Sequence, residues 1–359
     1  MEKILLGMSG GVDSSAAALL LKEQGYEVLG VTLLLRPDAV PDDPAGDAAD
    51  ARRVADALGI EHRTVDLRET FRRDVIEYFT AEYAAGRTPN PCVACNRRIK
   101  FGAMLDLALE YGCDGVATGH YARVERDPAS GRWLLLRAPT PKDQSYVLYQ
   151  LTQRQLSRAV FPLAAYAKPE IRALAQRAGL PVANRPDSQE ICFVPGDDYG
   201  AFLQSCGIRP APGSFVGLDG EILGTHRGIP FYTVGQRKGL GISFGRPMYV
   251  TKIDAVRNEI TLGPEGSQYS ASAVVSGVNW IPWETPPEKL RAQVKARYQA
   301  RPAAAEITPL PDGRALIRFD EPQRAVTPGQ SAVFYDGDLV LGGGVICEKE
   351  GEQGVNLYQ

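Results

Sequence analysis

Through residues 3–67 short apolar runs alternate with amphipathic stretches: KILLG (3–7), SSAAALLLKEQ, YEVLGVTLLL, ADARRVADALG and EHRTVDL follow one another. Short continuous apolar runs read as buried strands, and apolar residues three and four apart read as helices. Gly25 and Gly59 stand where helix C-caps belong, because glycine takes the left-handed conformation without a Cβ penalty. The resulting βαβαβ rhythm predicts a parallel sheet with helices on both faces and a ligand site at the carboxyl ends of its strands. TFRRDVIEYFTAEYAAG and NRRIKFGAMLDLALEYG keep the helical period, GVAT (115–118) adds a strand, and KPEIRALAQRAG (168–179) and GDDYGAFLQSCG (196–207) are again helical. The Pro- and Asp-rich RPDAVPDDPAGD (36–47) reads as an exposed, mobile loop. Beyond residue 207, glycines, β-branched residues and Asp-Gly turns take over. SFVGLDGEILG (214–224) and YVTKIDAVRNEITLG (249–263) have the form of hairpins, and LPDGRALIRF and FYDGDLVLGGGVIC continue the strand alternation. The pattern predicts an α/β domain over 1–207, a central β-rich domain over 208–271 and a C-terminal β-rich domain over 272–359, with no internal repeat.

Composition narrows this little. The 359 residues, 44% hydrophobic and 23% charged, suit a soluble protein of two or three domains. No apolar stretch approaches a membrane span or a signal h-region, so the expected location is the cytoplasm, without a membrane partner. A net charge of −3 neither favours nor excludes nucleic acid, since the placement of basic groups matters more than their sum. Six cysteines in a reducing compartment do not form a disulfide framework; a C-x-x-C there is metal-binding or catalytic.

The strand KILLG runs into MSGGVDSS (8–15), where Gly10 and Gly11 let the backbone approach an anion and a helix starting near Ser14 aims its amides at it. Neither a G-K-[ST] ending nor a G-x-G-x-x-G is present. SGGVDSS instead resembles the loop of the PP-loop ATP pyrophosphatases, which implies adenylation rather than phosphorylation. On that resemblance Asp13 would help hold Mg²⁺, and Ser9, Ser14 and Ser15 would bind phosphate oxygens.

NPCVACN (90–96) places Cys92 and Cys95 three apart. The pair reads as half a zinc site, a redox motif or a nucleophile. Cys113, Cys206 and Cys347 border apolar patterns and read as small buried hydrophobes, and no second C-x-x-C or histidine pair supplies further zinc ligands. Cys95, at the expected start of the NRRIKFG helix and beside Arg97 and Arg98, is predicted to have a lowered thiol pKa. Cys192 follows the polar Asp187, Ser188, Gln189 and Glu190 in DSQEICFVPG and is the other reactive candidate.

GMSGGVDSS, GRTPNPCVACNRRIKFG, ATGHYAR, PKDQSYVL, DSQEICFV, GQRKGLG, ARY and the tail AVTPGQ…YDGD…GGG occur in this order over residues 3–347. The ordered set resembles the tRNA-specific 2-thiouridylases of the MnmA/TrmU family. The resemblance implies a PP-loop ATP pyrophosphatase domain with a parallel sheet (adenine nucleotide alpha hydrolase-like), then a central β-rich domain and a C-terminal β-barrel. It implies ATP and Mg²⁺ as cofactors, tRNA as substrate, and thiolation of the wobble uridine at C2 with release of AMP and pyrophosphate. A cysteine desulfurase or sulfur-carrier protein and a reductant would be obligatory partners.

By the same resemblance, Gly7, Met8, Ser9, Gly10, Gly11, Val12, Asp13 and Ser14 bind ATP with Leu33 and Gly119. Asn90, Pro91 and Cys92 meet the target base. Cys95 is the nucleophile, Cys192 carries a persulfide, and a disulfide between the two closes the cycle. His120, Lys142, Asp143, Gln144, Arg297, Tyr298 and Gln330 contact tRNA. Cys92 stands where some members have aspartate, and Leu33 where methionine is common. As a third thiol, Cys92 opens a cluster alternative, a [4Fe-4S] centre on Cys92, Cys95 and Cys192 with a sulfide donor. Arg87, Arg97, Arg98 and Lys100 around the cysteines, with Arg237 and Lys238, are candidate phosphate contacts, and the modules from about residue 208 would recognise the tRNA body. Two other functions compete: a PP-loop ligase or amidating enzyme acting on a small molecule, and a non-catalytic RNA-binding protein with zinc at Cys92 and Cys95.

Overall fold

The computed structural model describes residues 1–39, 43, 46–183 and 191–348. Parts of the 36–47 loop and Asp187, Ser188, Gln189 and Glu190 lie outside the described residues.

The apolar runs form a five-stranded parallel sheet of Lys3–Gly7, Glu27–Leu34, Glu61–Asp66, Gly115–Ala117 and Ala159–Val160. Its spatial order puts the third strand at one edge, then the second, first, fourth and fifth. The direction of winding therefore reverses between the first and fourth strands, which opens a crevice at their carboxyl ends. The helices Val12–Glu23 and Lys168–Arg177 pack on one face with Asp47–Leu58. The apolar stripe of the first, Ala16, Ala17, Leu20 and Leu21, is removed from water there.

On the other face a long helix carries the cysteines. It opens at Pro91–Cys95 with Asn90 as N-cap, widens into a π-helical turn over Asn96–Ala103 and returns to α geometry over Met104–Glu110. In the widened turn a Cβ at Gly102 would meet the Arg97 carbonyl oxygen at 3.1 Å. The Gln155 side-chain amide donates to the Arg97 and Phe101 carbonyls, each at 2.8 Å, and so satisfies acceptors the altered ladder leaves open. A second π turn at Arg72–Ile76 is treated alike, with Arg98 donating to the Asp74 carbonyl.

The central unit is a four-stranded sheet in which the hairpins Gly213–Val216/Ile222–His226 and Tyr249–Asp254/Glu259–Gly263 join through a parallel pairing. In the C-terminal unit six strands, Tyr269–Trp280, Leu290–Lys295, Ala303–Pro309, Ala315–Arg324, Ser331–Asp336 and Leu339–Ile346, close into a barrel, the first pairing with both the fourth and the last.

One connection was not expected. The hairpin Ala122–Arg126/Trp133–Arg137, which follows the fourth strand of the parallel sheet, pairs with the last barrel strand at Leu136 and Leu339. Tyr146 and Tyr149 follow it into a core shared with Val333, Tyr335 and Val340 of the barrel. The α/β unit and the barrel are thus one packed body.

Candidate active site

The first strand ends at Gly7, and the chain turns at Gly10, whose φ of 68° favours glycine, to begin the helix at Val12. The helix starts two residues before the expected Ser14. Gly11, the N-cap, has φ −92° and ψ 167°, which any residue adopts, and a Cβ there would meet only Ser9 Oγ at an ordinary 3.5 Å. Nothing in the protein itself demands glycine at 11, and a helix start leaves its first-turn amides without intrahelical partners.

Ser9 and Ser14 face each other across this cradle with hydroxyl oxygens 3.3 Å apart, and Ser14 donates to the Gly11 carbonyl. Ser15, expected to bind phosphate, is fully buried and donates to the Gly11 carbonyl at 2.8 Å; it holds the loop shut from behind. Met8 and Val12 are core side chains, and Leu33 is half-buried near the end of the second strand. Gly119, at the end of the fourth strand, touches the cradle from the other side of the crevice: a Cβ would lie 3.0 Å from Asp13 C and Ser14 N.

Magnesium at Asp13 does not fit the arrangement. Both carboxylate oxygens accept from the Lys168 ammonium at 2.8 Å, and Oδ1 also accepts from the Tyr121 hydroxyl at 2.7 Å. A metal would share those lone pairs with an ammonium ion, and the two cations would repel at contact distance.

Three thiols gather on the opposite helix and the segment before Val194. Cys92 and Cys192 are exposed, whereas Cys95 is buried. Each feels the charge of Lys100, and Cys95 feels the other two. Cys95 does not have the expected lowered pKa. Because the helix opens at Pro91, Cys95 lies in its second turn, away from the dipole's strongest point, and burial pushes its thiol up to about 12. Arg97 and Arg98 do not offset this; their guanidinium groups reach Gln150 and the Asp74 carbonyl. Desolvation also raises Cys92 and Cys192: both reach the surface yet are crowded by protein, and Lys100 pulls each back only in part. Lys100 lies five residues after Cys95, and the i→i+5 winding of the π turn swings it toward the cysteine face. Sequence reasoning had grouped it with the phosphate contacts.

Among the described residues no group of three His, Cys, Asp or Glu side chains is arranged to hold a metal ion, so neither a three-thiol cluster site nor a zinc site is assembled. Lys100 also acts on His120, which follows Gly119 and so links the thiols to the crevice at the strand ends. His120 is 8% exposed, bonded through Nδ1 to Thr118 Oγ1 at 2.6 Å and packed against Phe101 and Phe161. Burial holds its pKa well below the usual value and keeps the ring neutral.

Profiles of three families cover the chain: the tRNA methyl transferase HUP domain over residues 2–196, the tRNA methyl transferase PRC-barrel domain over 200–264 and the aminomethyltransferase beta-barrel domain over 270–346. The tRNA-specific 2-thiouridylase MnmA of Heliobacterium modesticaldum is 50% identical over 355 residues, covering 96% of this chain and 92% of its own. That of Moorella thermoacetica is 50% identical over 351 residues, 95% of this chain and 98% of its own. The chain belongs to the tRNA-specific 2-thiouridylase family.

Against that family frame, the residues expected to touch tRNA divide into two kinds. Lys142 and Tyr298 are exposed, Tyr298 at 41%, with Lys295 Nζ 5.6 Å from the Tyr298 ring. The others are tied into the protein. Asp143 accepts from the Ala138 and Ser145 amides and the Ser145 hydroxyl, and Gln144 accepts from the Tyr121 amide. Arg297 donates to the Val234 carbonyl and Thr327 Oγ1, bridging barrel and central unit. Gln330 donates to the Thr88 and Pro89 carbonyls at 2.9 and 3.2 Å.

These last contacts explain how the segment before Cys92 is held. Thr88 N donates to the Pro328 carbonyl, Thr88 Oγ1 donates to Thr233 Oγ1, and the Asn90 side chain hydrogen-bonds the Tyr146 hydroxyl, which itself donates to the Ser331 carbonyl. Asn90, Pro91 and Cys92 therefore stand at the junction of all three units.

Proposed function

We propose that this chain carries out ATP-dependent 2-thiolation of the wobble uridine of tRNA, giving 2-thiouridine, AMP and pyrophosphate, as a cytoplasmic enzyme. Its family membership supports the reaction. The observation that carries the site is the placement of an anion cradle and a group of three thiols on one crevice, with His120 and Lys100 between them. Among the described residues no helix is long and apolar enough to cross a membrane.

ATP lies with its phosphates over Gly10 and Gly11, and the uridine enters beside Asn90, Pro91 and Cys92. The uracil O2 attacks the α-phosphorus, the bond to pyrophosphate breaks, and its electron pair leaves with pyrophosphate. C2 now carries adenylate, a far better leaving group than oxide. A persulfide on Cys192, loaded by a cysteine desulfurase or sulfur carrier, attacks C2 through its terminal sulfur and expels AMP. Cys95 then attacks Cys192 Sγ. The bond between Cys192 Sγ and the transferred sulfur breaks, that sulfur stays on C2, and a Cys95–Cys192 disulfide remains for a thiol reductant to reopen. Burial keeps Cys95 protonated in the free protein, so the attack awaits loss of its proton, with Lys100 steadying the thiolate that forms.

The test uses unmodified tRNA, Mg-ATP and a persulfide or sulfide donor, reading thiolated tRNA by mercury-gel retardation and pyrophosphate release in parallel. Thiolated tRNA that is lost in Cys95→Ala and Cys192→Ala supports the proposal. A retarded band of equal intensity in Cys95→Ala and Cys192→Ala would remove the two cysteines from the mechanism.

A further inference from the structure

The widened turn of the cysteine helix decides which side chains share its face. Over Asn96–Ala103 the ladder runs i→i+5, a geometry that is rare and concentrates at functional sites. In an unbroken α-helix Lys100 would stand about 140° around the cylinder from Cys95, five residues at roughly 100° each. Wound i→i+5, residues five apart come to one side, so Lys100 shares a face with Cys95 and with Cys92 one turn before it. Its charge reaches all three thiols.

The turn is held from outside the helix. Gln155 Nε2 donates to the Arg97 and Phe101 carbonyls, which flank Lys100 in the chain, each at 2.8 Å. Gln155 Oε1 is already taken by the Thr152 amide at 2.9 Å, in the capping box that opens the Gln153–Leu156 helix, so the side-chain amide has a single orientation. Asn96 Nδ2, donating to the Val147 carbonyl, straps the same turn to the same segment.

We infer that Gln155 is a positioning residue for sulfur transfer: by holding the Arg97 and Phe101 carbonyls it keeps the turn wide, and the wide turn presents Lys100 to the thiols. The inference rests on the sulfur transfer proposed above. In that step Cys95 loses a proton and attacks Cys192 Sγ, and the Lys100 ammonium steadies the thiolate without taking the proton. Relaxed to α geometry, the turn carries Lys100 away while Cys92 and Cys95, which precede it, keep their places.

Alkylation of the full-length protein by iodoacetamide at pH 8, followed by peptide mapping, needs neither ATP nor tRNA, so its outcome is separate from that of the thiolation reading. Lys100→Met is expected to slow alkylation of Cys92 at least about threefold, the effect of removing one nearby positive charge from a partly wet site, and to move its pH–rate profile to higher pH. Gln155→Met should act in the same direction. The double variant Gln155→Met/Lys100→Met should match Lys100→Met alone, because Gln155 acts through Lys100. Gln155→Leu replaces Gln155→Met throughout if the latter does not fold, as judged by thermal unfolding. In turnover the Gln155 variant should lower kcat and leave the KM for ATP unchanged. A wild-type alkylation rate in the folded Gln155 variant would overturn the inference, whatever its Tm. So would a slowing that persists undiminished in the Lys100→Met background, since Gln155 would then act on the thiols by another route.

Discussion

Gly11→Ala separates what the fold requires from what the ligand requires. The backbone at 11 has φ −92° and ψ 167°, and the added methyl would meet only Ser9 Oγ at 3.5 Å, so the substitution introduces no clash within the protein. Alanine is a poorer N-cap than glycine, but it also restricts the unfolded chain, and the two effects offset to within about 1 kcal/mol. A shift in Tm of no more than about 4 °C is expected. The same methyl projects into the space over the first-turn amides, where a phosphate oxygen would otherwise reach hydrogen-bond distance. Displacing it by a few tenths of an ångström from even two amide donors costs about 1.5–3 kcal/mol for bonds to a charged acceptor, or roughly 10–150-fold in ATP affinity. Gly119→Ala is the contrasting variant. Its Cβ would press on backbone atoms at 3.0 Å that cannot rotate away, so overpacking of about 1–3 kcal/mol should lower stability along with ATP binding. The assay pairs thermal unfolding with calorimetric titration of ATP. If Gly11→Ala binds ATP within twofold of wild type while remaining folded, the cradle does not hold phosphate where the structure suggests.

Other consequences follow from the thiols and the struts. Because burial raises all three site thiols, alkylation by iodoacetamide in the free protein should accelerate with pH without a plateau below about pH 9, with the exposed Cys92 and Cys192 modified before Cys95; early, selective loss of Cys95 by peptide mapping would contradict this. The sign of the matching stability effect is negative at high pH. Above about pH 9 the unfolded chain ionises its thiols while folded Cys95 stays protonated, so denaturant midpoints should fall as pH rises from 9 to 11, and less so in Cys95→Ala. For His120 the direction is reversed. The folded ring stays neutral, so stability should decline as pH drops below about 6.5, where the unfolded chain gains a proton, and His120→Gln should flatten that decline in urea titrations. Gln330→Ala should cost about 1–3 kcal/mol by leaving the Thr88 and Pro89 carbonyls without their donor, with a tRNA KM that rises more than the ATP KM; equal changes in both would argue against a role in shaping the base-entry segment.

The parallel sheet was legible because its strands are short apolar runs bounded by glycine, and the Asp-Gly turns announced the hairpins beyond residue 207. The C-cap role of Gly59 was legible for the same local reason; the first helix is capped by Gln24, and Gly25, with φ 88°, makes the left-handed turn one residue later. The start of the cysteine helix was misplaced although the signal was present: Pro91 has the fixed φ favoured at the first helical position. That displacement put Cys95 at a helix terminus, and with it came the wrong sign for the thiol pKa. The π turns could not be read, since a one-residue widening leaves an apolar period looking helical, and Gln155, which satisfies the freed carbonyls, is distant in sequence. Lys168 was equally hidden. KPEIR carries no signature of a charge site until folding sets it against Asp13. Likewise WLLLR (133–137) is an ordinary apolar run, and its second partner strand, Leu339–Ile346, is distant in sequence.

That hairpin has a consequence for how the protein is made. Ribosomes deliver the phosphate loop long before the barrel's closing strand, Leu339–Ile346. Until the latter emerges, Leu136 has only Arg123 of its own hairpin as a strand partner, Tyr146 and Tyr149 lack the apolar wall completed by Val340, and the barrel that carries Pro328, the anchor of the segment with Asn90, stays open. A chain halted before the barrel is complete therefore exposes aromatic surface beside an unanchored Asn90 segment, which makes it a substrate for chaperones and proteases rather than a working enzyme.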